Sequence, residues 1–250
     1  MIPNPIAKVL STIRKHRVRA LLMGGQACVL YGAAEFSRDI DFAILADAGN
    51  LRRLRSALKE LQAEVIAVPG FTARHLRRGH AIHFRCFHPD AEGIRIDVMS
   101  RMRGVAPFEK LWKRRTTLGL PGNTTVHVLS LPDLVAAKKT QRDKDWPMIR
   151  RLVEAHYFEH RHDSNRARVA FWLTELRTPE LIVEVARKHE RASRRLASSR
   201  PLLSFALCAD LEGVNRELAK EEAAERDEDR RYWSPLRKEL ETLRHSSRGK

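Results

Sequence analysis

The apolar run Ala20-Leu21-Leu22-Met23 stops at Gly24-Gly25, and after residues 26–38 the chain reads Asp39-Ile40-Asp41-Phe42. On a strand, alternation places Asp39 and Asp41 on one face while Ile40 and Phe42 pack behind them. Two carboxylates about 4 Å apart at an effective dielectric near 20 repel by about 4 kcal/mol, so a cation is expected beside them. Oxygen donors of this kind suit Mg²⁺ or Mn²⁺. The two glycines expose backbone N–H groups where a phosphate can approach. Alone, Gly-Gly reads as an ordinary tight turn and each aspartate as a cap or turn residue. Together they form a joint signal. A third acid follows in Ile94-Arg95-Ile96-Asp97-Val98, where Arg95 and Asp97 share one strand face and Asp97 can join the pair across a sheet.

The chain's 250 residues, 43% of them hydrophobic, are enough for one large domain or two small ones. The first half alternates short strands with helices and the second reads as helical, so the expected fold is α/β (α+β), a mixed β-sheet flanked by helices with a C-terminal helical domain. The expected divisions are a catalytic domain over residues 1–130, a helical domain over 131–245 and a frayed tail over 246–250. Strands are expected at Arg17–Met23, Ile40–Leu45, Glu64–Val68 and Thr125–Leu129, with a hairpin of Ala81–Phe87 and Ile94–Met99. Helices are expected over Gln26–Tyr31, behind an Asn50 cap, over Pro107–Arg115, and from Ser130, Asp145, Thr178-Pro179 and Ser234-Pro235. Gly119–Asn123 reads as a loop, and the mixed-charge run Glu221–Arg231 as a solvated helix face.

Lys and Arg number 47 against 31 Asp and Glu, a formal +16, which draws polyanions and makes nucleic acid the leading partner class. No stretch approaches the roughly 20 apolar residues of a membrane helix. Pro3, Pro5 and a site beginning at Gly24 argue against a removable leader, so the expected location is cytoplasmic. Cys28, Cys86 and Cys208 lack any C-x-x-C pair and read as packed or free thiols.

With Met23-Gly24-Gly25, the spacer and Asp39-Ile40-Asp41-Phe42 in place, the chain resembles the polymerase-beta-like nucleotidyltransferase superfamily. The string GGQACVLYGAAEFSRDIDFAI is most similar to the minimal and AbiEii-type nucleotidyltransferases, many of them toxins of bacterial toxin–antitoxin or phage-defence pairs. The resemblance spans roughly residues 18–150. It implies transfer of NMP from an NTP to an acceptor hydroxyl. Asp39 and Asp41 would hold two Mg²⁺ ions on the nucleotide phosphates, and Asp97 would bind the catalytic metal and help deprotonate the acceptor. Gly24, Gly25 and Gln26 are candidate phosphate contacts; Gln26 stands where many relatives carry Ser or Thr, which leaves more of that contact to the backbone. Arg38 is a further candidate substrate contact. The stretch from Ala136 to Asp145 is similar to a later family block in which a helix lysine faces the phosphates. Lys138 is its best match, Lys139 an equally simple choice, and Asp145 either a site residue or a helix cap. The basic charge and the resemblance favour RNA, particularly the end of tRNA, as acceptor. Aminoglycoside-like molecules and a protein hydroxyl are alternatives, and a toxin implies a separate antitoxin protein.

Two competing readings follow from other residues. His156-Tyr157-Phe158-Glu159-His160 fits the H-x-x-E-H pattern of a zinc metallopeptidase. A non-catalytic basic nucleic-acid binder on the same fold is the other. His75, His80, His83 and His88 cluster without metal-ligand spacing and read as basic surface or substrate contact. Arg74, Arg77, Arg78, Lys110, Lys113, Arg114 and Arg115 are candidates for a phosphate-lined groove.

Overall fold

The structure, a computed structural model, describes residues 4–120 and 124–248. Two compact units emerge. The first comprises the described residues up to Leu30, then Ala34–Ala137 and the chain from Tyr232 onward; the second comprises Tyr31–Ala33 and Lys138–Arg231. This division differs from the expected one near residue 130 because two segments stay with the sheet. Leu131, Leu134 and Val135 are buried, and Glu239 binds Arg78 and His80, with His80 Nε2 2.9 Å from its carboxylate. Those two partners, Arg78 first and His80 second, hold the Glu239 carboxyl down to about 2.

The first unit runs α1 (Asn4–Lys15), β1 (Ala20–Met23), α2 (Gly24–Leu30), β2 (Asp39–Ile44), α3 (Ala48–Glu60), β3 (Ala63–Val65), α4 (Ala73–Arg78), β4 (Ile82–Cys86), β5 (Arg95–Met99), α5 (Phe108–Lys113), β6 (Thr116–Leu120), β7 (Thr124–Val128) and α6 (Leu131–Lys138, whose last residue lies in the second unit). The strands form a sheet of order β3-β4-β5-β2-β1-β7-β6. It is mixed as expected: β2 with β5 and β1 with β7 are parallel, the other neighbours antiparallel. One face carries Leu22, Ile40, Phe42, Ile44, Ile82, Phe84, Ile96, Val98 and Val128, all buried. This apolar layer fixes the register, since a slip of one residue would turn each of these side chains to the other face.

Helix α1 was not expected. Ile6, Val9, Leu10 and Ile13 recur at helical spacing and are buried, and α1 packs on α3 and β7. The helix ends in a left-handed residue, Arg17 (φ 51), while Val18 N donates to Ile13 O at 3.1 Å. That cap removes residues 17–19 from the expected first strand.

Asp47, rather than Asn50, caps α3, accepting from Asn50 N at 2.6 Å. Asn50 is buried and ties two strand ends together: its amide donates to Arg19 O (3.0 Å) and Leu45 O (2.9 Å) and accepts from Arg19 N (2.7 Å). The stretch 73–78 is helical because Thr72 caps it and Gly79 closes it with φ 111. Strand β6 takes in Gly119 and Leu120 from the expected loop and pairs antiparallel with β7; the remainder of that loop, 121–123, lies outside the described residues.

The second unit contains α7 (Asp145–His160), α8 (Arg166–Glu175), α9 (Pro179–Lys188), α10 (Glu190–Leu196), α11 (Leu202–Leu207) and most of α12 (Leu211–Arg248). Helices α7 and α9 begin where Asp145 and Thr178-Pro179 predict. The buried Arg200 donates to the carbonyls of Leu173 (2.9 Å) and Leu176 (2.8 Å) and pairs with Glu221. The run 221–231 is therefore more than a solvated face; Asp229 is also buried and accepts from Gln141 N at 2.9 Å.

No helix begins at Ser234-Pro235. Helix α12 runs through Pro235 to Arg248, although proline removes one helix hydrogen bond. Leu236 beside it is buried. The expected fray after residue 245 is helical as far as 248, and 249–250 lie outside the described residues. No described helix is long and apolar enough to cross a membrane.

Candidate active site

Parallel pairing of β2 with β5 sets Asp41 directly opposite Asp97 and Asp39 opposite Arg95. Neighbouring strands lie about 4.8 Å apart, and register partners share a face. Antiparallel pairing extends the same rows, placing His83 beside Asp97, Arg85 beside Arg95 and Met23 beside Asp41. The three acids expected from the sequence thus meet on one sheet face, at the end of β1 where the glycines follow.

Gly24 has φ +64, and a Cβ built on it would lie 1.9 Å from Asp41 Oδ2. The glycine therefore makes room for the carboxylate itself. A Cβ on Gly25 would meet Ser37 Oγ at 2.4 Å. Gln26, expected toward phosphate, is buried and its amide donates to Ser37 O at 2.6 Å. Its role in the structure is to pin the segment before β2 against the glycine bend. Arg38 and Asp39 are exposed. Phe36, which sequence reasoning passed over, is 61% exposed only three residues before Asp39.

Asp97 is largely enclosed, its side chain 14% exposed. Arg95 grips both its oxygens, Nε on Oδ1 at 2.8 Å and Nη2 on Oδ2 at 2.9 Å. His83 Nδ1 stands 2.8 Å from Asp97 Oδ1 and 2.9 Å from Arg95 Nη2. That single ring nitrogen serves one partner at a time: protonated it donates to Asp97, unprotonated it accepts from Arg95. Burial pushes the Asp97 carboxyl up, but the hydrogen bonds from His83 and Arg95 outweigh it and hold the group below its usual range. The Arg95 guanidinium is held above its ordinary value, first by its bonds to Asp97 and further by the fields of Asp39 and Asp41. The cation demanded by the repelling acids is thus already supplied by the chain. Neither Arg95 nor His83 could be assigned from sequence. Alternation puts each on the right face, but only the strand register brings both to Asp97.

Three carboxylates are hard oxygen donors of the kind Mg²⁺ and Mn²⁺ take, so the residues fit a divalent ion in chemistry. As the side chains stand, no group of three His, Cys, Asp or Glu among the described residues is arranged to hold one. The cation that the structure does place on Asp97 is the Arg95 guanidinium.

Lys138, Lys139 and Asp145 belong to the second unit. Asp145 is a buried hub that accepts from Lys138 Nζ (2.9 Å), Thr140 Oγ1 (2.6 Å) and Arg142 Nε (2.8 Å). Burial raises its pKa, but Lys138, Thr140 and Arg142 together bring it below the usual carboxylate range. Lys139 binds Glu175 at 3.1 Å. Both lysines expected at phosphate are thus held on carboxylates of their own unit. Of the expected basic groove, Arg78 is spent on Glu239 and Arg114 on Asp133, while Arg115 lies over the Trp112 ring at 4.3 Å.

The H-x-x-E-H segment is not built as a metallopeptidase centre. His156 sits among the rings of Phe171, Trp172 and His160, and its Nδ1 accepts the Trp172 indole N–H at 2.9 Å. Glu159, the would-be base, is 72% exposed.

Comparison with known proteins agrees with the sequence signature. The family described as "Nucleotidyl transferase AbiEii toxin, Type IV TA system" matches residues 15–140, just over half of the chain. A crystal structure described as a "putative nucleotidyltransferase from H. pylori" aligns over 86% of this chain and 94% of its own, at 16% identity and a TM-score of 0.42. No curated protein matches.

Proposed function

The chain belongs to the AbiEii nucleotidyltransferase family, and from that premise we propose that it transfers NMP from an NTP to a hydroxyl at an RNA end, with Asp39, Asp41 and Asp97 holding Mg²⁺ or Mn²⁺. The observation that carries the reading is the β2–β5 register, which sets Asp41 against Asp97 beside a glycine that has no side chain to obstruct them. A divalent ion bound there supplies neutralisation of the phosphate charge and alignment of the reacting oxygens.

The chain's own groups account for the rest. Gly24 keeps Asp41 in place, and the Gln26–Ser37 bond fixes the segment carrying Phe36 and Arg38. Phe36 offers an exposed aromatic face to a base, and Arg38 and Arg85 offer guanidinium groups to phosphate. In the transfer, the acceptor oxygen bonds to the α-phosphorus, the bond to the bridging oxygen breaks and pyrophosphate leaves. The acceptor's proton passes toward the Asp97 carboxylate and then to solvent. The +16 charge favours a polyanionic acceptor such as tRNA over a small neutral one. The family is that of a type IV toxin–antitoxin system, so a cognate antitoxin is part of this proposal.

The test is incubation of the protein with each labelled NTP, Mg²⁺ and total RNA. Label should enter RNA in the wild type and not in Asp39→Ala or Asp41→Ala. Transfer that survives either substitution would overturn the assigned site, and label entering protein instead of RNA would overturn the acceptor.

A further inference from the structure

In the acid cluster the cation beside Asp97 is a side chain. Arg95 lies two residues before Asp97 on the same strand and face, directly opposite Asp39 in register. Its guanidinium fork meets the carboxylate in the two-point geometry that binds most firmly. Three carboxylates on one sheet face are an oxygen-donor set of the kind a divalent ion takes. Such an ion needs the Asp97 oxygens that Arg95 now occupies. The Arg95 side chain is 37% exposed where that of Asp97 is 14%, so the guanidinium has a way out toward solvent. Across the next strand stands Arg85, its register partner and also exposed. A guanidinium leaving Asp97 in that direction would join a second one at the rim of the cluster.

We propose that Arg95 is the built-in counter-ion of this cluster: it holds Asp97 while no divalent ion is bound, competes with that ion for the carboxylate, and on release turns to the nucleotide's phosphates. The inference rests on the reading above that the three acids take a divalent ion. It makes binding of metal and nucleotide mutually dependent. Metal alone must displace a bidentate guanidinium that has no new partner, whereas metal arriving with a triphosphate gives that guanidinium anionic oxygens to bind.

The test measures Mn²⁺ binding to the full chain by the electron paramagnetic resonance signal of the free ion, with no nucleotide and then with each α,β-methylene NTP in turn. Removing a positive charge from beside a carboxylate changes that group's cation affinity by about 10-fold or more. Arg95→Met should therefore bind Mn²⁺ alone at least about 10-fold more tightly than the wild type and lose most of the gain that nucleotide gives the wild type. Equal or weaker binding of Mn²⁺ alone by Arg95→Met would overturn the proposal.

Circular dichroism covers the case of a variant that does not fold. An Arg95→Met chain that is unfolded in EDTA and regains the wild-type spectrum in Mn²⁺ supports the counter-ion role. One that stays unfolded in both overturns it. Failure of the wild type to bind Mn²⁺ with any nucleotide is a separate outcome, which overturns the divalent-ion reading itself.

Discussion

Gly24→Ala tests the site where backbone and chemistry meet. Two costs add. An L-residue with a side chain at φ +64 pays about 1–2 kcal/mol for the left-handed backbone. The new methyl would lie 1.9 Å from Asp41 Oδ2 and 2.8 Å from its Cβ, an overlap that forces Asp41 or the bend to move and costs about 1–3 kcal/mol by analogy with overpacked interiors. The sum, about 2–5 kcal/mol, lowers the melting temperature by roughly 4–20 °C for a chain of this length. Gly32 is the internal control, since it has φ +73 but nothing within 4 Å of its added Cβ. Gly32→Ala should show the backbone cost alone, about 1–2 kcal/mol. Urea denaturation of both variants followed by tryptophan fluorescence isolates the overlap with Asp41 by difference. Nucleotide transfer should fall steeply in Gly24→Ala and stay near wild type in Gly32→Ala. Equal destabilisation of the two variants, or full transfer by Gly24→Ala, would refute the claim that this glycine exists to seat the carboxylate.

Two further outcomes concern the helices. Burial first, then the charges of His160 and Arg168, lower the His156 pKa to about 4, against about 6.5 for an unfolded histidine. The unfolded chain therefore takes up a proton that the folded one refuses, so stability is complete above pH 6.5 and falls as the pH drops toward 4. The full difference is about 3 kcal/mol, reduced to roughly 1–2 kcal/mol by solvent screening of a partly exposed ring. Urea titrations at pH 7.5 and 4.5 should show that much less loss in His156→Gln than in the wild type; identical losses would contradict the assignment. Pro235 is exposed inside α12, where alanine restores a helix N–H, so Pro235→Ala should raise stability by about 1–3 kcal/mol, with an unchanged or lower melting temperature as the contrary result.

The acid triad was legible because each member sits in a strand whose alternation is plain: Ile40 and Phe42 behind Asp39 and Asp41, Ile96 and Val98 behind Asp97. What alternation cannot supply is register, and the partners of Asp97 depend on it. His83 was grouped with three other histidines by nearness in sequence, yet pairing separates them. His80 is buried on Glu239, from the far end of the chain, whereas His83 faces Asp97. Helix α1 is readable from the helical spacing of Ile6, Val9, Leu10 and Ile13, all of them buried. Asn50 and Pro235 misled. Each carries a strong local preference, for capping and for starting a helix, that the burial of Asn50 and of Leu236 overrides.

The pairing of β2 with β5 also bears on when the acid cluster can exist. Asp39 and Asp41 are synthesised early, but their third partner lies on a segment that joins them only after more than fifty intervening residues have been made and folded away. A ribosome-bound or truncated chain ending before β5 therefore carries two of the three acids and lacks the Arg95 guanidinium. One step, the closing of β5 on β2, therefore brings in both the third acid and the arginine that grips it.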